Sequence, residues 1–296
     1  MRLTVEHLTK IYTGGKIGLD DFSLELGSGI LGLLGPNGAG KSTLMRIIAT
    51  VSRPTAGRVL WNGRDIRRHP NALRQDLGYL PQDFGVYPHL NAVEFLEYMA
   101  AVKGLSGAGT RRRIEALLDQ LNLLVVRKQP VGTFSGGMRQ RIGIAQVLLN
   151  DPAVLILDEP TVGLDPEERV RFRQLLSHLA GERVIILSSH IVSDIETIAG
   201  DIAIMNSGRL LERNTVARIL RHVENRVFEA DVPLAELDRF KSGYLVSNLL
   251  REGEAWRVRY IIRNSDAPGG RNPQPVKTTL EDAYLFLTRN ASEESR

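Results

Sequence analysis

Residues 35–43 read GPNGAGKST, a spacing of glycines, lysine and hydroxyls suited to holding a polyphosphate. Gly35, Gly38 and Gly40 let the backbone wrap the anion closely. Amide N–H groups and the positive end of the following helix then point at it. Lys41 can reach the β- and γ-phosphates, and the Ser42 hydroxyl can bind Mg²⁺. The bland alternative is a glycine-rich turn with a chance lysine. Against it stands the context, because an apolar strand precedes the loop and a helix follows, as the pattern requires.

A second run, AVLILDEP from Ala153 to Pro160, is an apolar strand ending in two carboxylates. Adjacent strand residues point to opposite sides, yet at a strand's end both can face one crevice. Asp158 would hold Mg²⁺ and Glu159 would orient and polarise an attacking water. Alone, the pair would read as solvated carboxylates; beside a phosphate loop it reads as chemistry. Between the two runs lies TFSGGMRQR, Thr133 to Arg141. There Ser135 can cap a helix, while Gly136 and Gly137 allow backbone N–H groups to approach an anion.

These residues need elements to position them. Phe22, Leu24 and Leu26 alternate with polar neighbours as in a half-buried strand, and Ile30 to Leu34 is continuously apolar, as in a strand buried on both faces. Asn62-Gly63 predicts a hairpin turn. From about 83 to 150 the pattern turns helical, with Ile114, Leu117, Leu118 and Leu121 on one stripe. Asp165-Pro166 starts a further helix, and Val184 to Leu187 is another buried strand. Buried strands alternating with helices predict an α/β fold with a parallel sheet covered on both faces. After roughly 220 the pattern changes. Trp256, Val258, Tyr260 and Ile262 alternate as a one-sided strand, and Asn264 to Pro275 reads as a Pro/Gly-rich loop. A last helix starts at Thr278, with Glu281 completing a capping box.

Composition bounds the function. The 296 residues suit two domains, or one large one with an appendage. Lys and Arg number 38 against 34 Asp and Glu, with the signs interleaved, so the charge alone argues little and gives no ground to expect a nucleic-acid partner. From Asn225 onward the chain holds 11 basic and 11 acidic side chains. Cysteine is absent, which excludes a disulfide scaffold, a thiolate metal site and a cysteine nucleophile. The longest uncharged stretch, within 26–40, is too short for a spanning helix, and the opening residues do not form a signal peptide. Any membrane role is therefore expected to be peripheral. Arg111, Arg112 and Arg113 read as a solvated helix face, with an anionic lipid contact the lesser alternative.

In this order the motifs resemble the nucleotide-binding subunit of an ABC transporter over about residues 1–220. Gly35–Thr43, with Asn37 and Ala39 inside it, resembles the Walker A loop, and Ala153–Glu159 the Walker B strand with its catalytic glutamate. Gln82 in YLPQDFG resembles the Q-loop glutamine, Phe134–Met138 the signature motif, and Gly163–Pro166, with Asp165, the D-loop. His190 resembles the switch histidine and Tyr12 the aromatic that stacks on adenine. One departure is visible: Phe134 and Met138 stand where the family usually has leucine and glutamine, and Met138 lacks a polar side-chain contact.

The resemblance implies a P-loop ABC ATPase core, with a parallel sheet, an antiparallel β subdomain and a helical subdomain at about 83–150. A small α+β unit at 221–296 would follow. It implies ATP and Mg²⁺ as ligands, with Ser42, Gln82 and Asp158 around the metal and Glu159, His190 and Gln82 as catalytic groups. Gly35, Asn37, Gly38, Ala39, Gly40, Lys41, Ser42, Thr43, Tyr12, Ser135, Gly136, Gly137 and Asp165 would contact nucleotide. It further implies a head-to-tail homodimer driving an integral-membrane permease from the cytoplasmic side of the membrane. The tail TTLEDAYLFLT is similar to those of type-two exporters. The rival reading is a soluble ABC ATPase acting on nucleic acid or ribosomes. It lacks support here, since the chain has one ATPase core, no sustained heptads and no cysteine.

Overall fold

The structure, a computed structural model, describes residues 1–189, 191–253, 255–263 and 267–294. The chain opens with strands β1 (Leu3–Ile11), β2 (Ile17–Leu26) and β3 (Gly29–Leu34), then helix α1 (Lys41–Ile48). Strands β4 (Ala56–Trp61) and β5 (Arg64–Asp65), helix α2 (Pro70–Arg74) and strand β6 (Leu77–Leu80) follow. A helical stretch holds α3 (Ala92–Val102), α4 (Ala108–Gln120) and α5 (Gly136–Leu148). The chain then alternates β7 (Val154–Asp158), α6 (Pro166–Leu179), β8 (Val184–Ser188), α7 (Val192–Ile198) and β9 (Asp201–Asn206). After β10 (Arg209–Asn214) and α8 (Val216–Leu220) come β11 (Val227–Pro233), α9 (Leu237–Gly243), β12 (Leu245–Glu252), β13 (Ala255–Ile261), β14 (Arg271–Pro275) and α10 (Leu280–Glu294).

The central sheet has the order β10-β9-β3-β8-β7-β6, parallel except where β10 turns back on β9. Its inner strands β3, β7 and β8 are almost wholly apolar because both of their faces are covered. Alternation sorts them cleanly: Val154 and Ile156 of β7 join Val184 and Ile186 of β8 in one buried cluster, with Leu44, Met45, Ile47 and Ile48 of α1. Leu155, Leu157, Ile185 and Leu187 face the other way, into a cluster shared with α3, α4 and α5. The first cluster also takes residues from an antiparallel sheet ordered β2-β1-β4-β5. Helix α1 thus lies between two sheets. The β4–β5 turn has φ +48° at Asn62 and +79° at Gly63, the positive pair that a two-residue hairpin turn demands.

The C-terminal residues form a third, antiparallel sheet ordered β12-β13-β11-β14. Ala230, Val232, Phe240, Val258 and Tyr260 make a separate small core there. Two expectations need correction. Arg271–Pro275, expected as part of a loop, is strand β14, paired antiparallel with β11. It lies at the sheet edge, the one place where its prolines Pro273 and Pro275 remove no central ladder bond. Asn264–Asp266 lie outside the described residues. The last helix begins one residue later than expected. Its reciprocal cap joins Thr279 and Asp282: the Asp282 N–H donates to Thr279 Oγ1 at 3.3 Å and the Thr279 N–H to Asp282 Oδ2 at 2.9 Å. Asp282 wins over Glu281 because it is buried against Arg259, whose Nη2 donates to Asp282 Oδ2 at 2.8 Å. Burial alone would raise the Asp282 carboxyl, but hydrogen bonds from Arg259, Thr279 and Ser247 outweigh it and hold it below the usual range.

Candidate active site

The parity of the central sheet decides where the chemistry sits. Asp158 continues the Val154–Ile156 side of β7, and Ser188 continues the Val184–Ile186 side of β8. The two are register partners at the carboxyl ends of adjacent parallel strands. Both therefore emerge on the α1 side, beside the loop leading into that helix. Crevices at the carboxyl ends of parallel strands are where ligands bind in such sheets.

The loop itself is set by local sterics. Gly40 holds φ +103° at the N-terminus of α1, and a Cβ there would lie 2.4 Å from the Gly18 carbonyl oxygen. Only glycine satisfies both demands. Lys41 is buried, and its Nζ donates to the carbonyls of Gly35 at 2.6 Å and Pro36 at 3.2 Å. Burial lowers its pKa, while the charges of Glu159 and Asp158 oppose that shift. The ammonium is thus close enough to feel both carboxylates.

Asp158 and Glu159 are both buried. The Ser188 hydroxyl, itself fully buried, donates to Asp158 Oδ1 at 2.6 Å and accepts the Glu159 N–H at 3.0 Å. Glu159 has φ +53°, a region that non-glycine residues rarely occupy and that costs about 1–3 kcal/mol. Ser188 thereby ties the Asp158 carboxylate to the strained residue beside it. The sequence reading missed it, since a serine ending an apolar run carries no signal until the strand register is known.

One cleft of about 760 Å³ gathers Tyr12, Asn37, Gly38, Ala39, Gly40, Lys41, Ser42, Thr43, Gln82, Asp158 and Glu159. Lys16, Ile17, Gly18 and Arg46 complete its wall. Gly35 lies beneath it, at the end of the Lys41 hydrogen bond. On the rim the Tyr12 hydroxyl is 3.0 Å from Thr43 Oγ1, and Lys10 Nζ lies 5.2 Å from the centre of the Tyr12 ring. Gln82 is exposed on the loop after β6. Phe84, two residues on, packs on Gly143 of α5, where a Cβ would lie 2.4 Å from the ring. The Gln82 loop is thus in contact with the helix that begins at the Ser-Gly-Gly turn.

Among the described residues, Ser135, Gly136, Gly137 and Asp165 lie outside this cleft. Ser135 caps α5, its Oγ accepting the Met138 N–H at 3.2 Å. Asp165 caps α6, its Oδ1 accepting the Glu168 N–H at 2.8 Å. The Arg141–Glu168 ion pair, 2.9 Å long and half-buried, joins the two helices. Phe134 is buried in the helical core and Met138 packs against it, so both departures from the usual signature serve packing. His190 lies outside the described residues.

The profile of the ABC transporter family matches residues 19–162. The doxorubicin resistance ATP-binding protein DrrA of Mycobacterium tuberculosis is 35% identical over 243 residues, covering 80% of this chain and 73% of that one. This chain belongs to the ATP-binding proteins of ABC transporters. The Nod factor export ATP-binding protein I of Ralstonia nicotianae is 35% identical over 222 residues, covering 74% and 69% of the two chains. Among solved structures, the ATP-binding cassette MJ0796, a dimer bound to ADP and Pi in a post-hydrolysis state, is similar with a TM-score of 0.66. It is 25% identical, covering 72% of this chain and 98% of that one. The fold is therefore that of an ABC ATPase. For three other curated relatives, the chain spans 47% to 64% of their length.

Proposed function

We propose that this ABC protein hydrolyses ATP at the Gly35–Thr43 cleft and that the reaction powers an integral-membrane permease in export. In this reading the chain works peripherally, at the cytoplasmic side of the membrane. Residues 1–220 are the nucleotide-binding unit, with the helical subdomain at about 83–150, and residues 221–296 an accessory unit. No helix among the described residues is long and apolar enough to cross a membrane. The exposed pair Tyr87 and Tyr98, with ring centres 4.9 Å apart, lies in the segment after Gln82 that would receive the permease.

The observation that carries the reading is the split between the cleft and the Ser135 turn. A cleft holding Lys41, Ser42, Asp158 and Glu159 but lacking the serine-glycine turn is completed by the turn of a second copy placed head to tail. Within it, backbone N–H groups and Lys41 bind and orient the triphosphate, and Tyr12 contacts the base. Glu159 orients and polarises the attacking water with Gln82 beside it, and the family resemblance gives His190 the part of the switch histidine. The chemistry is positioning plus charge stabilisation. Ser42, Gln82 and Asp158 offer only oxygen donors, a set that suits Mg²⁺. Bound there, the ion would neutralise charge on the phosphate oxygens. Closure around ATP and release after hydrolysis would do work on the permease through their different affinities.

The test is the oligomeric state of Glu159→Gln with ATP and Mg²⁺. Size-exclusion chromatography should show a nucleotide-dependent dimer with arrested phosphate release. A strictly monomeric species, alone and with a coexpressed permease, would overturn the head-to-tail site.

A further inference from the structure

The charge of this protein is less evenly spread than its sequence suggests. Of the 38 basic and 34 acidic side chains, Thr50–Asp76 holds six arginines and two aspartates, so 32 of each sign remain elsewhere. The whole net charge of +4 thus lies in one short stretch, β4 to α2 with its flanks. The fold then gathers part of it around a cavity of about 440 Å³, walled by Arg53, Arg67, Arg68 and Arg74. Asp65 is the one carboxylate on that wall, and its Oδ1 accepts the Arg67 backbone N–H at 2.8 Å. Among the described residues none of the four guanidiniums forms an ion pair. Arg74 alone makes a side-chain hydrogen bond, from Nε to Thr50 Oγ1 at 2.8 Å. Arg58, which also lies in this stretch, is paired with Glu6.

We propose that this arginine-walled cavity binds a phosphate-bearing anion, a second anion site distinct from the nucleotide cleft. No residue lines both spaces. Helix α1 separates them, with its first turn at the phosphate loop and Ile47, near its last, on the cavity wall. Guanidiniums bind phosphate bidentately and lose less on leaving water than ammonium groups do. With Asp65 the one carboxylate on the wall, the four exposed guanidiniums keep an excess of positive charge that attracts an anion. The Ser52 and Thr50 hydroxyls add polar contacts, and Ile47, Val59 and Ile66 give an apolar floor. A nucleic acid fits less well. The nearby aromatic, Trp61, is buried and donates its Nε1–H to Asp76 Oδ2 at 2.9 Å, which leaves no platform for base stacking. The phosphate group could be carried by an acidic phospholipid or by a soluble phosphate.

The test compares Arg67→Gln/Arg68→Gln with the charge-matched Arg111→Gln/Arg112→Gln in the full chain. Among the described residues neither Arg67 nor Arg68 makes a side-chain bond, so the first variant should keep the wild-type melting temperature, ATP affinity and basal phosphate release. That keeps failure here distinct from failure of the ATPase reading. In one arm, the proteins are floated with phosphatidylcholine vesicles with and without phosphatidylglycerol. In the other, pyrophosphate is titrated calorimetrically. A lipid-borne phosphate gives binding to the acidic vesicles that falls roughly fivefold per guanidinium, about 25-fold for Arg67→Gln/Arg68→Gln, and stays near wild type in the control. A soluble phosphate gives a second pyrophosphate event that only Arg67→Gln/Arg68→Gln abolishes. Equal losses in both variants, no binding beyond the nucleotide cleft in either arm, or selective loss of single-stranded oligonucleotide binding alone would each overturn the proposal.

Discussion

Replacing Ser188 with alanine removes one hydroxyl and orphans two buried groups at once. The Glu159 N–H loses its 3.0 Å acceptor and Asp158 Oδ1 its 2.6 Å donor. Ser188 is fully buried, so a methyl group in its place leaves no opening for a substitute water. An unsatisfied buried polar group costs about 1–3 kcal/mol. Partial relaxation of the Glu159 backbone from φ +53° returns some of that, leaving a net loss on the order of 2–4 kcal/mol in stability. The functional consequence is sharper than the structural one. If about 1.4–2.7 kcal/mol of the loss falls on the placement of Asp158 and Glu159 in the transition state, kcat drops roughly 10- to 100-fold. The ATP KM should change little, because the Gly35–Thr43 loop and Lys41 make no bond to Ser188. The Mg²⁺ concentration for half-maximal rate should rise, since Asp158 is no longer oriented. Urea unfolding and steady-state phosphate release across a Mg²⁺ series measure both effects. Destabilisation with unchanged kcat and unchanged Mg²⁺ dependence would reduce Ser188 to a packing residue and refute the reasoning.

The remaining expectations concern Lys41 and Asp282. Lys41→Ala should weaken ATP binding at least tenfold in a nucleotide titration, because it deletes a buried cation facing the phosphate loop; wild-type affinity would place the triphosphate elsewhere. Asp282→Ala should destabilise the protein by on the order of 2–3 kcal/mol. That is less than a fully buried broken pair costs, because Arg259 keeps Glu229 at 3.3 Å as a partner. Since the Asp282 carboxyl is held below its usual range, its contribution is present above the unfolded carboxylate pKa of about 4 and fades as pH falls towards the folded value. The wild type should therefore lose stability faster than Asp282→Asn on acidification below about pH 4, as thermal melts across that range would show.

Most of the residues that line the Gly35–Thr43 cleft were legible in the sequence because their signals are local. Gly35–Thr43 sits between its own strand and helix, and the β7 run ends at its own carboxylates. What escaped depended on pairing between distant segments. Ser188 acquires a role only when β8 sets it opposite Asp158, a register no single stretch encodes. Thr278 with Glu281 and Thr279 with Asp282 are equally good caps by spacing, and Arg259, 23 residues upstream of Asp282, decides between them. The prolines of β14 argue for a loop until an edge position excuses them. The arginines of Thr50–Asp76 look like ordinary surface charge until β5 and α2 bring them to one hollow.

Helix α10 has a consequence for how the chain can be cut. Its residues Leu280, Ala283 and Phe286 belong to the same buried cluster as residues of α3, α4 and α5, and it packs against α7, α8 and β9 as well as β12 and β13. Aliphatic and aromatic side chains stripped of cover expose surface worth about 1.5–3 kcal/mol apiece. Truncation near residue 220 would therefore yield a sticky, easily precipitated ATPase, whereas α9 could be reshaped with little harm to the cleft. The C-terminal sheet is accordingly less a detachable module than a keystone, with α10 as its wedge.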